Sequence, residues 1–263
     1  MAPSKAKHDK RLRPRISHLT RLSAKNAVFA TVIVGANKDQ FTVHKSLLVH
    51  HSPFFGAALI GNFKEAEKKE VVLLDTLPQT FEFFVHWAYH GRFPDANDDK
   101  ELYGLWKDAK GEDDRDLEFK NVLRLYILCE EYDISVLKRT AIDGYFDLMD
   151  GDGLDYYLLD PEMITEAFKN LPEKSAMCQL LVDASCKFAM ESMWIDHTKF
   201  PCSFIAKVLK LYSEGVYDLE EDDDLKRCDY HEHRNDEEGK ACESKNDDMG
   251  VGAGDVVQAE LED

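Results

Sequence analysis

The sequence predicts an α+β domain followed by a helical extension. Runs with strand character come early, and beyond about residue 75 every apolar pattern repeats at helical spacing. Strands and helices do not alternate as βαβ units, which argues against a doubly wound parallel sheet. Apolar periodicity begins near Ala27 and stops near Tyr217, leaving a polar, charged segment at each end.

The elements follow in order. Residues 27–34, Ala-Val-Phe-Ala-Thr-Val-Ile-Val, are apolar and β-branched and read as a strand that Gly35 and Asn37 close. Residues 35–39 form a turn, and Gln40 to Val43 return as the second strand of a hairpin. Ser46 to His51 begin a helix. Ser52-Pro53 restarts it, since serine caps a helix and proline suits its first position. Phe54, Phe55, Ala58 and Leu59 then fall on one face, and Gly61-Asn62 ends the helix. Val71 to Leu74 read as a third strand, and Asp75 to Pro78 turn into a helix carrying Phe81, Phe84, Val85 and Ala88. Residues 92–118 are polar and acidic and read as an inserted loop, with Leu105 and Trp106 as its anchors. Helical patterns follow at 121–132, 134–148, 161–170, 174–193 and 201–212, with Gly151-Asp-Gly153 marking a boundary. No internal repeat is visible.

The charge is concentrated at the ends. The net charge is −18. Residues 1–26 carry eight Lys/Arg and a single acid, Asp9, whereas residues 216–263 carry 18 Asp/Glu against five Lys/Arg. Both ends are poor in large apolar residues, cannot offset chain entropy, and are expected to be disordered. The basic arm has the composition of a nuclear-import signal, a nucleic-acid patch or a solubilising end. The acidic tail argues against tight nucleic-acid binding, because it repels phosphate and competes for the arm. The six cysteines form no Cys-x-x-Cys pair, four of them sit in apolar helical patterns, and no apolar run approaches about 18 residues. With no signal peptide in view, the expectation is a soluble, reduced, intracellular protein, cytoplasmic or nuclear, without membrane contact.

Seven pieces, each weak alone, occur in a meaningful order. They are Thr31-Val-Ile-Val-Gly35, Phe41-x-Val-His44-Lys45-x-x-Leu48, Ser52-Pro53-Phe54-Phe55, Phe63-Lys-Glu65, Val72-x-Leu74, Phe81-Glu-Phe-Phe84-x-x-Trp87-x-Tyr89-x-Gly91, and Leu125-Tyr-x-Leu128-x-x-x-Tyr132-Asp133-Ile134-x-x-Leu137. Together they resemble the BTB/POZ family, and the whole chain resembles small fungal BTB proteins without kelch, MATH or zinc-finger domains. The resemblance implies a BTB/POZ fold, a small mixed sheet with a helical cluster, over about residues 26–148. The remaining segments are then a basic arm (1–25), a helical extension (149–217) and an acidic, mostly disordered tail (218–263). It further implies a non-catalytic protein–protein interaction module that forms a homodimer and acts as a substrate adaptor for a cullin-type ubiquitin ligase. The alternative is a scaffold acting through BTB pairing without a ligase. Phe29 stands where the family often carries an aspartate near its dimer interface and groove, which puts corepressor binding by that route in doubt.

Four residue groups are candidates for chemistry or contact. Phe63-x-Glu65 matches the family's hydrophobic-x-Glu element for a cullin scaffold, an aromatic anchor with a charge setting register. The alternative is Phe63 packed in the core and Glu65 solvated. His86 and His90 have metal-capable spacing but lack the glutamate a zinc protease needs beside the first histidine, and their neighbours fit a packed helix. His44 reads as a core or capping histidine. Cys228, His231, His233 and Cys242 supply two thiols and two imidazoles, a donor set suited to tetrahedral zinc. The alternative is a chance cluster in a polar tail. His231-x-His233 places its rings on opposite sides of an extended chain, so zinc requires a bend there. No nucleophile with a base partner and no phosphate-cradling glycine loop is visible, so no enzyme is expected.

Overall fold

The structure, a computed structural model, describes residues 27–61, 63–107, 115–149, 160–188, 197–214, 225–233 and 236–247, with residues 188, 197 and 244–247 as backbone only. The basic arm, the 150–159 boundary and the extreme C-terminus lie outside the described residues. Contacts divide the chain near residue 110 into two compact units, with Tyr132–Ile134 belonging to the first. This division runs inside the 26–148 span read from the sequence as one domain: residues 121–131 and 135–148 group with the later helices.

The first unit is built on a three-stranded mixed sheet of order β2-β1-β3. β1 (Phe29–Val34) pairs antiparallel with β2 (Asp39–His44) and parallel with β3 (Glu70–Leu73). Alternation sets the faces: Ala30, Val32 and Val34 of β1 are buried while Phe29 is exposed. Gly35 sits at φ 73°, and a Cβ there would meet Pro78 Cγ at 2.9 Å, so the hairpin turn requires glycine.

Between β2 and β3 run α1 (Lys45–His51), α2 (Pro53–Ile60) and the short α3 (Lys64–Lys68). Ser52 does double duty. Its Oγ accepts from Phe55 N at 3.1 Å, capping α2, and donates to Tyr132 O at 2.6 Å. Lys45 Nζ donates to Leu59 O at 2.6 Å, placing a cation at the C-terminal end of α2. α4 (Pro78–His90) closes the core with Phe81, Phe83, Phe84 and Trp87, all buried, and ends on Gly91 at φ 70°. Phe84 stacks on Phe55 at 6.2 Å and meets Phe81 at 5.6 Å.

The segment read as an inserted loop is partly helical. α5 spans Lys100–Lys107, started by Asp99, whose Oδ1 accepts from the backbone N–H of Glu101 and Leu102. Trp106 anchors it as expected, edge-on to Phe83 and stacked on Phe93, each at 4.9 Å. Arg92 grips Asp98 with two hydrogen bonds of 2.6 and 2.8 Å and holds its carboxyl well below the usual carboxylate range.

The second unit is helical. α6 (Arg115–Glu131) and α7 (Ser135–Met149) pack through residues such as Phe119 and Tyr145, whose rings lie 4.8 Å apart. α8 (Pro161–Asn170), α9 (Ala176–Phe188) and α10 (Cys202–Ser213) enclose a core of Ile164, Val182, Cys186, Phe204 and Val208. Residues 225–247, which composition reads as part of a mostly disordered tail, form a tight 3-10 turn at Arg227–Tyr230 and a helix, α11 (Asp236–Asp247). Among the described residues no helix is long and apolar enough to cross a membrane.

Candidate functional site

Phe63 is the N-cap residue of α3, and its carbonyl accepts from Ala66 N at 3.1 Å. Its side chain is 61% exposed, which excludes the core-packed alternative. Glu65 lies in the first turn of α3 and is also exposed, in a position that favours a carboxylate at a helix start. Gly61 lets the chain arrive there: a Cβ would stand 2.5 Å from Ala57 O and 3.0 Å from Phe63 Cδ2. The ring and the carboxylate are therefore both exposed at the start of α3.

Further apolar side chains of the first unit face solvent. Phe29 is 45% exposed and leans on His44, ring centroids 4.4 Å apart, with Val28 exposed beside it. His44 is a structural histidine: its Nδ1 lies 2.6 Å from Tyr89 Oη, and its backbone N–H donates to the same oxygen at 3.2 Å. His86 and His90 stack at 4.5 Å, and His86 Nε2 points toward Asp98 at 3.5 Å. They do not assemble three metal donors.

The tail cluster does. Cys228, His233 and Cys242 hold their donor atoms within 4.8 Å of one another. Cys228 Sγ is 3.6 Å from His233 Nε2. The fourth predicted ligand, His231, stands outside that triplet but adjoins it, with Nδ1 3.2 Å from Cys242 Sγ. Its Nε2 lies 3.1 Å from Asp143 Oδ1 on α7, close but poorly aligned as a hydrogen bond. The 3-10 turn closes with His231 N donating to the Cys228 carbonyl at 3.2 Å, but His231 itself is extended (φ −88°, ψ 133°) and its ring centroid stands 6.1 Å from that of His233, so the bend that the His-x-His spacing demands is not present at His231. Burial, then the neighbouring Cys242, push the Cys228 thiol up to about 12. Asp143 was not visible as a participant in the sequence, because only the packing of α7 brings it to His231.

The BTB/POZ domain family matches residues 20–108, the stretch holding the mixed sheet, α1–α5 and Phe63-x-Glu65. The chain carries a BTB/POZ domain. Kelch repeat and BTB domain-containing protein 4 of Homo sapiens is 30% identical over 73 residues, 28% of this chain and 14% of that protein. Kelch-like ECH-associated protein 1A of Danio rerio is 42% identical over 52 residues, 20% of this chain and 9% of that protein. TD and POZ domain-containing protein 1-like of Mus musculus is 25% identical over a longer stretch, 59% of this chain and 47% of that protein. The chain thus spans less than half the length of each of these relatives.

Proposed function

We propose that this chain is a non-catalytic protein–protein interaction module that self-associates and recruits a cullin-type ubiquitin ligase scaffold, acting as a substrate adaptor inside the cell, in the cytoplasm or the nucleus. The supporting observation is the exposure of Phe63 and Glu65 on one short helical turn of a BTB/POZ domain. An aromatic ring already exposed to water gains apolar burial on binding. The carboxylate two residues on fixes orientation. Val28 and Phe29 supply an apolar surface for self-association.

One variant tests the reading. Phe63→Ala is expected to leave stability within about 0.5 kcal/mol of the parent, because the ring is exposed. It is expected to weaken binding to a cullin scaffold by at least about 2 kcal/mol. Light scattering on the same protein should show a dimer in both forms. Unchanged cullin affinity would remove the adaptor reading and leave a scaffold that works through BTB pairing.

A further inference from the structure

We propose that Cys228, His231, His233 and Cys242 bind one zinc ion, and that this ion fastens residues 225–247 onto the helices of the second unit. The inference is independent of the ligase reading.

The geometry comes first. Zinc bonds of about 2.3 Å to sulfur and about 2.0–2.1 Å to nitrogen, in a tetrahedron, place adjacent donors roughly 3.3–3.8 Å apart. The Cys228–His233 separation of 3.6 Å already has that length. Cys242 and His231, at 3.2 Å, are within a few tenths of an ångström of it. The donors of Cys228, His233 and Cys242, already inside 4.8 Å, need to close by about an ångström, and His231, outside that triplet, must swing in from beside Cys242 to complete the set. A set of two sulfurs and two nitrogens selects zinc over the hard cations, which take oxygen ligands.

The surroundings fit a metal centre. Asp143 Oδ1 stands 3.1 Å from the buried His231 Nε2 without forming an aligned hydrogen bond there; its negative charge favours the proton on that nitrogen, and a small turn of the ring would complete the bond and leave the Nδ1 lone pair for the cluster. The His231 side chain is 5% exposed, so its Nδ1 is directed into the cluster rather than into solvent. Gly239 O also faces Cys228 Sγ at 3.8 Å, within reach of a thiol and too long to hold the sulfur firmly.

The role assigned is structural. All four residues would be ligands, which leaves no open position for a substrate. The segment they close carries little apolar surface of its own, with Cys228 and Tyr230 its buried apolar members. It reaches the body through polar contacts: Lys138–Glu232 at 2.7 Å, Arg139–Glu238 at 2.6 Å, Arg227–Asp147 at 2.8 Å, and Tyr230 Oη donating to Asp183 at 2.8 Å. A metal that joins the 3-10 turn to α11 would hold those contacts in register.

The test uses the full chain, produced with added zinc and purified without chelator. Elemental analysis should find about one zinc per chain. Cobalt exchanged into the site should give the intense visible bands of tetrahedral thiolate coordination. Cys228→Ser, His233→Asn and Cys242→Ser should each abolish stoichiometric zinc, while Cys202→Ser, at an exposed cysteine on α10, should keep it. Asp143→Asn, at a positioning residue, should retain the stoichiometry and weaken zinc about 10–100-fold. A chelator should make residues 225–247 of the parent protein sensitive to protease while the far-UV spectrum of the body persists, which separates metal loss from misfolding. Absence of zinc, zinc that survives unchanged in the Cys228 and Cys242 variants, or a Cys228–Cys242 disulfide in its place would each overturn the proposal.

Discussion

The BTB/POZ core and the segment 225–247 are held by different physics. In the first, Phe55, Phe81, Phe83 and Phe84 are completely buried, and the buried Ser52 hydroxyl is tied in between α2 and Tyr132. In the second, three ion pairs and a Cys/His cluster do most of the holding, with Cys228 and Tyr230 the buried apolar members. Burying a phenylalanine contributes about 1.5–3 kcal/mol, whereas an exposed ion pair contributes about 0–1 kcal/mol. A region of the second kind needs either many such pairs or one strong cross-link.

The largest effect should come from the core. Phe84→Ala removes a ring packed on Phe55 and Phe81 and leaves a cavity among rigid neighbours. Denaturant unfolding is expected to show a loss of about 3–5 kcal/mol. A loss below about 1 kcal/mol would mean that this core is loosely packed, and the contrast with the tail would collapse.

An intermediate effect should appear with pH. His51 is partly buried edge-on to Trp87, ring centroids 4.8 Å apart. Burial, then the neighbouring His50, lower its pKa from 6.5 to about 4. Between those values the unfolded chain binds a proton that the folded chain refuses. This contribution to stability is therefore full above pH 6.5 and is lost as pH falls toward 4. His51→Phe keeps an aromatic ring on Trp87 and removes the proton. The variant should gain on the parent as pH drops through that window, read as a widening gap in melting temperature. Parallel melting curves for the two proteins would show that His51 is solvated in the folded state.

The same division of forces explains what the sequence disclosed. Strand alternation, the Ser52-Pro53 start and helix α8, predicted at Pro161–Asn170 and found there, all rest on local chemistry or apolar period. So does the exposed Phe63-x-Glu65 turn, although only the structure shows that the ring is in water. Phe54, placed with Phe55 on the buried face, is 39% exposed and leans against Tyr132 at 5.0 Å, since a helix this short cannot bury a stripe that wide. α5 was legible in part: Asp99 is a capping residue and Trp106 an anchor, but the surrounding acids masked the period. α6 starts at Arg115 rather than near Asn121 because its acidic first turn, Asp116 and Glu118, suits a helix N-terminus while reading as loop. α11 was illegible. It has no apolar stripe, and its partner Arg139 lies 99 residues away from Glu238. The four zinc candidates could be read from residue type, whereas Asp143 could not, because its part depends on packing alone.

The smallest effect should come from that distant pair. Arg139 and Glu238 are each about a quarter exposed and meet at 2.6 Å, so Arg139→Ala should cost no more than about 1 kcal/mol. The loss should be local. Hydrogen exchange of the α11 amides should speed up by no more than about fivefold, with the BTB/POZ core unchanged. Chelation sharpens the comparison. With zinc bound, the metal already fixes α11 and the ion pair is largely redundant. With zinc removed, the pair carries a larger share of what remains, and the same substitution should accelerate exchange more. If the two effects were equal, the ion pair and the cluster would be fastening the segment independently. If neither were detectable, α11 would be held by something other than the contacts between its acidic face and α7.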